Sequence, residues 1–252
     1  MKRVVQLLLN KLGWQLIRQR DNPPVNPVLP ACGLNSFFPV LKRIGFDPRH
    51  IIDVGANHGY WTRAALQFFP QACFTLVEPQ DNLRTNIEDL IEQGYKLQWI
   101  NAGAGDKPGT LMFTVAPRDD SSSFVPTSQA ALATGRPQVP VAVRTLNEIV
   151  ASSSAPAPEM VKIDAEGFDL KVLAGASNLF GKTEVFLVEA AVCAPRLENS
   201  MLEVIKRMAE AGYKPMDITD LNRSPKHGVL WLCELAFIRN DSPLLNSLDA
   251  YE

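Results

Sequence analysis

Apolar positions in this chain fall into short runs broken by glycine, proline and acidic residues, and the runs alternate between two periods. Ile51–Val54, Cys73–Glu78, Leu97–Asn101, Met160–Asp164 and Val185–Glu189 are too brief for helices and rich in Val, Ile, Leu and Phe, so they read as buried strands. Phe37–Ile44, Tyr60–Phe69, Leu83–Gln93 and Ser200–Ala211 carry apolar residues at helical spacing, with Gly45, Pro70 and Gly94 as stops. Strands alternating with helices predict an α/β fold with a doubly wound, mainly parallel sheet. Thr110–Val115 and Val139–Arg144 flank a polar stretch holding Ser121-Ser122-Ser123 and read as an antiparallel β insertion. Tyr213–Ile218 and Val229–Ile238 are separated only by the loop Asp220–Gly228, which predicts an antiparallel hairpin at a sheet edge.

Ahead of this region, residues 2–20 place Val5, Leu8, Leu9, Leu12 and Leu16 at helical spacing. Lys2, Arg3, Lys11, Arg18 and Arg20 all precede the first acid, Asp21. Such a helix suits an anionic membrane surface or an acidic partner protein; docking on the rest of the chain, or exchange between subunits, is its simpler use. The proline-rich stretch 22–30 reads as a stiff linker, so the chain divides into 1–30 and a single domain over 31–252. The start imitates a signal peptide, but its apolar stretch is short and no small-residue cleavage site follows, so a cytoplasmic protein is expected.

The overall charge of −2 gives no pointer to nucleic acid. No apolar run approaches the roughly 20 residues of a membrane span. Cys32, Cys73, Cys193 and Cys233 form no CxxC pair, and His50, His58 and His227 lack ligand spacing. A zinc site is therefore not expected, and the cysteines read as buried, reduced thiols.

The predicted strands end on Asp53, Glu78, Asn101, Asp164 and Glu189. Ligands of doubly wound sheets lie beyond the carboxyl ends of the strands, near the point where strand order reverses. In Ile51-Ile52-Asp53-Val54-Gly55-Ala56-Asn57-His58-Gly59-Tyr60-Trp61, a strand passes through a turn into a helix, and Gly55 and Gly59 let the backbone approach a nucleoside. Glu78, 23 residues after Gly55, suits the two hydroxyls of a ribose. A pyrophosphate would need Gly-x-Gly-x-x-Gly ahead of a free helix N-terminus. Here Asn57 replaces the second glycine, and Asp53 adds a charge that repels phosphate but suits an amino-acid ammonium. The turn therefore favours S-adenosylmethionine over NAD.

A second cluster is Lys162-Ile163-Asp164-Ala165-Glu166-Gly167-Phe168-Asp169. On an extended segment Lys162, Asp164 and Glu166 share one face. In a crevice they can hold a hydroxyl, accept a proton or ligate a hard cation, so a divalent metal stays an open alternative. A structural ion pair beside a helix cap near Asp169 is the plainer reading.

Together these segments resemble the FkbM family of S-adenosylmethionine-dependent methyltransferases. The resemblance rests on Ile52–Gly59, Val77-Glu78-Pro79, Asn101–Asp106 with Gly109, Thr145-Leu146-Asn147, Val161–Gly167 and Val188-Glu189. It spans about residues 35–240, with Asn147 where the family has Asp and Asp169 where Glu is common. It implies a Rossmann-like class I methyltransferase sheet and O-methylation of a hydroxyl on a sugar, glycan or polyketide-type acceptor. By resemblance, Asp53, Gly55, Ala56, Asn57 and Gly59 cradle the methionine portion, Glu78 binds ribose, and Asn101, Ala102 and Ala104 line the adenine edge. Asp164, Glu166 and Glu189 face the methyl group and acceptor, Ser122 or Ser123 borders the acceptor, Asp164 leads as general base, and His58 is a wall residue. Rival readings are an amine or carboxylate acceptor, a non-catalytic binding protein on the same fold, and an NAD-dependent oxidoreductase.

Overall fold

The computed structural model describes residues 32–194 and 197–247, so the expected basic helix and proline-rich linker lie outside the described residues. In chain order the elements are α1 (Leu34–Arg43), β1 (His50–Val54), α2 (Tyr60–Leu66), β2 (Cys73–Glu78), α3 (Glu88–Glu92) and β3 (Lys96–Asn101). Then come β4 (Gly103–Ala104), β5 (Gly109–Thr114), α4 (Ser128–Ala133), β6 (Gln138–Arg144), α5 (Leu146–Ala151), β7 (Met160–Ile163) and α6 (Asp169–Ala174). The chain continues through β8 (Val185–Ala191), α7 (Met201–Glu210), β9 (Tyr213–Arg223) and β10 (Leu230–Arg239).

Seven strands form one sheet in the order β3-β2-β1-β7-β8-β10-β9, and only β10 runs against its neighbours. The chain winds outward from β1 to β3 and returns to β7, so strand order reverses between β1 and β7. A three-stranded sheet, β4-β6-β5, is the β insertion, with β5 and β6 antiparallel as the alternation predicts.

Side-chain alternation makes the central sheet two-faced. Ile51, Phe74, Leu76, Met160, Val185 and Leu187 pack with α1, α2 and α3 through Phe38, Leu41, Leu66 and Leu90. Ile52, Val161, Ile163, Phe186 and Val188 pack with α5, α6 and α7 through Ile149, Val172, Val204 and Met208. Both faces are covered, which is why the parallel strands read as unbroken apolar runs.

Several elements differ from the sequence expectation for local reasons. The helix expected over Leu83–Gln93 splits into a 3-10 turn, Asp81–Ile87, and α3. There the Arg63 guanidinium reaches across and takes the Asn86 carbonyl at 2.6 Å. The polar stretch of the insertion contains α4, started by Thr127 accepting from the Ala130 amide. Thr145 starts α5 with a capping box shared with Glu148. β9 runs on to Arg223 because its pairing with β10 continues past Ile218, which brings Thr219 and Asp220 into the sheet. Of the four cysteines only Cys233 is buried, and Cys193 is exposed, against the expectation of buried thiols. Among the described residues no helix is long and apolar enough to cross a membrane.

Candidate active site

The switch point between β1 and β7 opens into a cavity of about 650 Å³ at the carboxyl ends of the strands. That lies within the roughly 300–1,000 Å³ of small-molecule and cofactor sites.

Its floor is organised by Lys162. The ammonium lies 3.3 Å from Asp53 Oδ1, 3.3 Å from Asp164 Oδ2 and 3.1 Å from the Gly55 carbonyl. The carbonyl accepts a hydrogen bond and the two carboxylates are ion-pair contacts, and together they tie β1, the following turn and β7. Its side chain is only 5% exposed. Burial works against that charge, but the carboxylates of Asp164, Asp53 and Glu234 outweigh burial and hold the ammonium well above its ordinary range. Gly55 lets the two strand ends meet. It has φ +71, and a Cβ there would lie 1.8 Å from the Asp164 carbonyl oxygen.

Asp53 is not where the sequence reading put it. It is fully buried, its Oδ2 accepts from the Thr62 hydroxyl at 2.6 Å, and it does not line the cavity. The alternation that sends Ile51 under α2 sends Asp53 there too, where it supports Lys162 from beneath the cavity. Gly59, which precedes α2, and Asn101 also fall outside the lining. The Asn101 amide instead donates to the carbonyls of Glu78 and Pro79 and fixes the end of β2. Gly55, Ala56, Asn57, Glu78, Ala102 and Ala104 do line the cavity.

Glu78 accepts from the Asn57 amide at 3.0 Å and the Gln80 amide at 2.9 Å. Burial pushes its carboxyl up, and those hydrogen bonds oppose the rise. Asn57 itself is held at φ 45, an uncommon conformation for a residue other than glycine.

His58 is not a wall residue. Its Nε2 lies 2.8 Å from Asp119 Oδ2, outside the lining, and latches the turn to the β insertion. Gln80 adds a second strap, donating to the Asp119 carbonyl at 3.1 Å. The insertion contributes Phe113, Asp119, Asp120, Ser122 and Phe124 to the cavity. Phe124 occupies the space that a Cβ on Gly103 would take, at 2.4 Å, and stacks between Phe113 and Phe168. Ser123 points elsewhere, donating to the Glu166 carbonyl at 2.8 Å.

Asp164 and Glu166 converge, though not by the extended alternation expected. The chain turns after β7, with Glu166 at φ 51. Asp169 shapes that turn by accepting from the amides of Ala165 and Gly167, and Asn199 holds the same carboxylate at 2.8 Å. One carboxylate oxygen from each of Asp164, Glu166 and Glu189 lies within 4.8 Å of the other two. Crowding has an electrostatic consequence. Burial and the charges of Asp164, Asp169 and Asp120 push Glu166 up to about 8, while burial and Asp164, Asp169 and Glu166 push Glu189 well above its ordinary range. Asp164 Oδ1 and Glu189 Oε2 are buried with no hydrogen-bond partner among the described residues.

Sequence reasoning missed most of the far end of the cavity, where Cys32, Gly33, Asn35, Thr219 and Glu234 stand beside Asp220. Glu234 is 8% exposed, and burial pushes it up to about 7. A signal for it exists: it is a lone acid inside the apolar run Leu230–Ile238.

Strand order, a single reversed strand and a cavity at the switch point define a class I methyltransferase fold. A family model of the methyltransferase FkbM domain matches residues 53–215, more than half of the chain, and the chain belongs to that family. The structure is similar to that of an FkbM methyltransferase from Methylobacillus flagellatus, with TM-score 0.50 and 14% identity over 74% of this chain and 43% of that one. The chain thus spans less than half the length of that protein. It is also similar to a precorrin-6y C5,15-methyltransferase from Geobacter metallireducens, with TM-score 0.43 and 11% identity over 79% of this chain and 85% of that one. A 1,6-didemethyltoxoflavin-N1-methyltransferase from Burkholderia thailandensis, solved with its substrate and S-adenosylhomocysteine, matches with TM-score 0.43 and 14% identity over 80% and 75% of the two chains. No curated protein sequence matches this chain.

Proposed function

We propose that this protein transfers a methyl group from S-adenosylmethionine to a hydroxyl of a sugar, glycan or polyketide-type acceptor. The observation that carries the proposal is the meeting, in one cavity, of the Gly55–Asn57 turn, the Glu78 carboxylate and the carboxylates of Asp164, Glu166 and Glu189. The donor set fits the cofactor: Glu78 suits the ribose hydroxyls, Ala102, Ala104 and Phe113 offer an apolar surface for adenine, and Gly55 to Asn57 suit the methionine end. Once bound, the cofactor supplies a methyl group already activated on a sulfonium. The chain then has to align the acceptor, exclude water and take up the hydroxyl proton, and alignment is the largest contribution it makes.

For the proton, Glu166 is better matched than Asp164. Asp164 is held by the Lys162 ammonium at 3.3 Å. Glu166, pushed up to about 8, sits near the working pH, where a general base contributes about 10²–10⁴-fold. Asp164 then fixes the acceptor, and burial together with the charges of Asp164, Asp169 and Asp120 makes Glu166 basic. His58, latched to Asp119, takes no part in proton transfer.

A thermal-shift comparison tests the cofactor class. S-adenosylmethionine and S-adenosylhomocysteine should each raise the melting temperature, and NAD should leave it unchanged. Stabilisation by NAD alone would overturn the proposal.

A further inference from the structure

Acids outnumber bases on the cavity wall. Among the described lining residues eight are acidic and one, Lys162, is basic. Some of that excess is accounted for: Asp164 pairs with Lys162, Asp119 with His58 and Asp120 with Arg118, and Glu78 is held by backbone amides. Glu166, Glu189, Asp220 and Glu234 are left with no ion-pair partner among the described residues. Asp220 is exposed, and burial favours the protonated forms of Glu166, Glu189 and Glu234, so a cation that enters beside Glu234 meets a buried carboxyl able to ionise and pair with it.

Glu234 carries a second, separate observation. It lies on β10, across the cavity from the Glu78 end, and is only 8% exposed. The Thr219 hydroxyl donates to its Oε1 at 2.5 Å and so fixes the carboxylate, and the Lys162 ammonium attracts it without forming a direct ion pair. Asp220, the next residue along β9, adds negative charge at the same end.

We propose that the methyl acceptor carries a protonated amine beside its reacting hydroxyl, and that Glu234, oriented by Thr219, binds that ammonium. The acceptor class is then an amino sugar or other amino polyol, and phosphorylated or carboxylated acceptors are refused. This inference rests on the proposed methyl transfer for the hydroxyl, but the ammonium site is testable without it.

The test is calorimetric binding at pH 7 of three probes of one shape: D-glucosamine, D-glucose and D-glucuronate, to the protein with and without S-adenosylhomocysteine. A hydrogen bond to a charged group is worth about 1.5–3 kcal/mol, so D-glucosamine should bind about 10- to 100-fold more tightly than D-glucose, with D-glucuronate weakest. Glu234→Gln, which keeps shape and removes charge, should erase most of that preference. S-adenosylhomocysteine affinity, unchanged in the variant, shows that it is folded. Equal binding of D-glucose and D-glucosamine, binding of none of the three, or an unchanged preference in Glu234→Gln would overturn the inference. So would occupation of the acids by Mg²⁺ alone with loss of the preference. If D-glucosamine is preferred but S-adenosylhomocysteine does not bind, the ammonium site stands and the methyl-transfer reading fails.

Discussion

Lys162 shows how much a single side chain organises here. Its ammonium pairs with two carboxylates and donates to a carbonyl from three segments, and among the described residues no other cation pairs with one of those carboxylates, Asp53. Lys162→Met should therefore cost about 3–5 kcal/mol in urea unfolding, because it leaves buried charge uncompensated. A loss below about 1 kcal/mol, typical of exposed pairs, would show that the group is not tightly coupled. Glu166 makes a different prediction. A general base must be unprotonated, so turnover should rise with pH through about 8, and Glu166→Gln should abolish the limb while leaving cofactor affinity intact. Because the carboxylates interact, the measured value belongs to the cluster. Much of this was legible in the sequence, since Glu78, Asp164 and Glu189 fall at predicted strand ends and Gly55 in the turn after the first strand. Asp53 and His58 were not legible. A strand's alternation decides which face a terminal carboxylate takes, and the partner of His58 lies 61 residues away in the insertion.

The β insertion is clasped to the turn after β1 by the His58–Asp119 pair and to the segment after β7 by the Phe124 ring against Phe168. Being partly exposed, the His58–Asp119 pair should contribute less than about 1 kcal/mol to stability. His58→Ala should accordingly leave the unfolding midpoint almost unchanged and speed release of S-adenosylhomocysteine several-fold in stopped-flow measurements. Unchanged release would remove the clasp from the mechanism. The elements that form the central sheet were readable because both faces are buried and the runs are continuous. The elements that were missed, α4 and α5, are single short helices started by threonine caps. Their apolar content is too small to produce a period, so the cap was the only signal.

Taken whole, the molecule lines its main cavity with acids, several of them buried, and its stability should reflect that. Burial raises Glu234 and Asp169 to about 7 in the folded chain, from ordinary values of 4.5 and 3.8. The folded state thus holds these protons more tightly than the unfolded chain does. Their contribution is complete below the ordinary carboxylate range and is lost as pH rises through about 7. The ligand-free protein should therefore become easier to unfold in urea between about pH 5 and pH 8, and Glu234→Gln should flatten the slope. A midpoint that climbs over that range, in wild type and variant alike, would contradict the assignment.

All of these consequences depend on what fills the cavity between β1 and β7, and a crystal structure of the complex with S-adenosylhomocysteine addresses that directly. The ribose hydroxyls should lie within hydrogen-bond distance of the Glu78 carboxylate, the methionine end against Gly55–Asn57, and the sulfur facing Asp164 and Glu166. Density for the ligand outside this cavity, or a ribose turned away from Glu78, would contradict the proposed site.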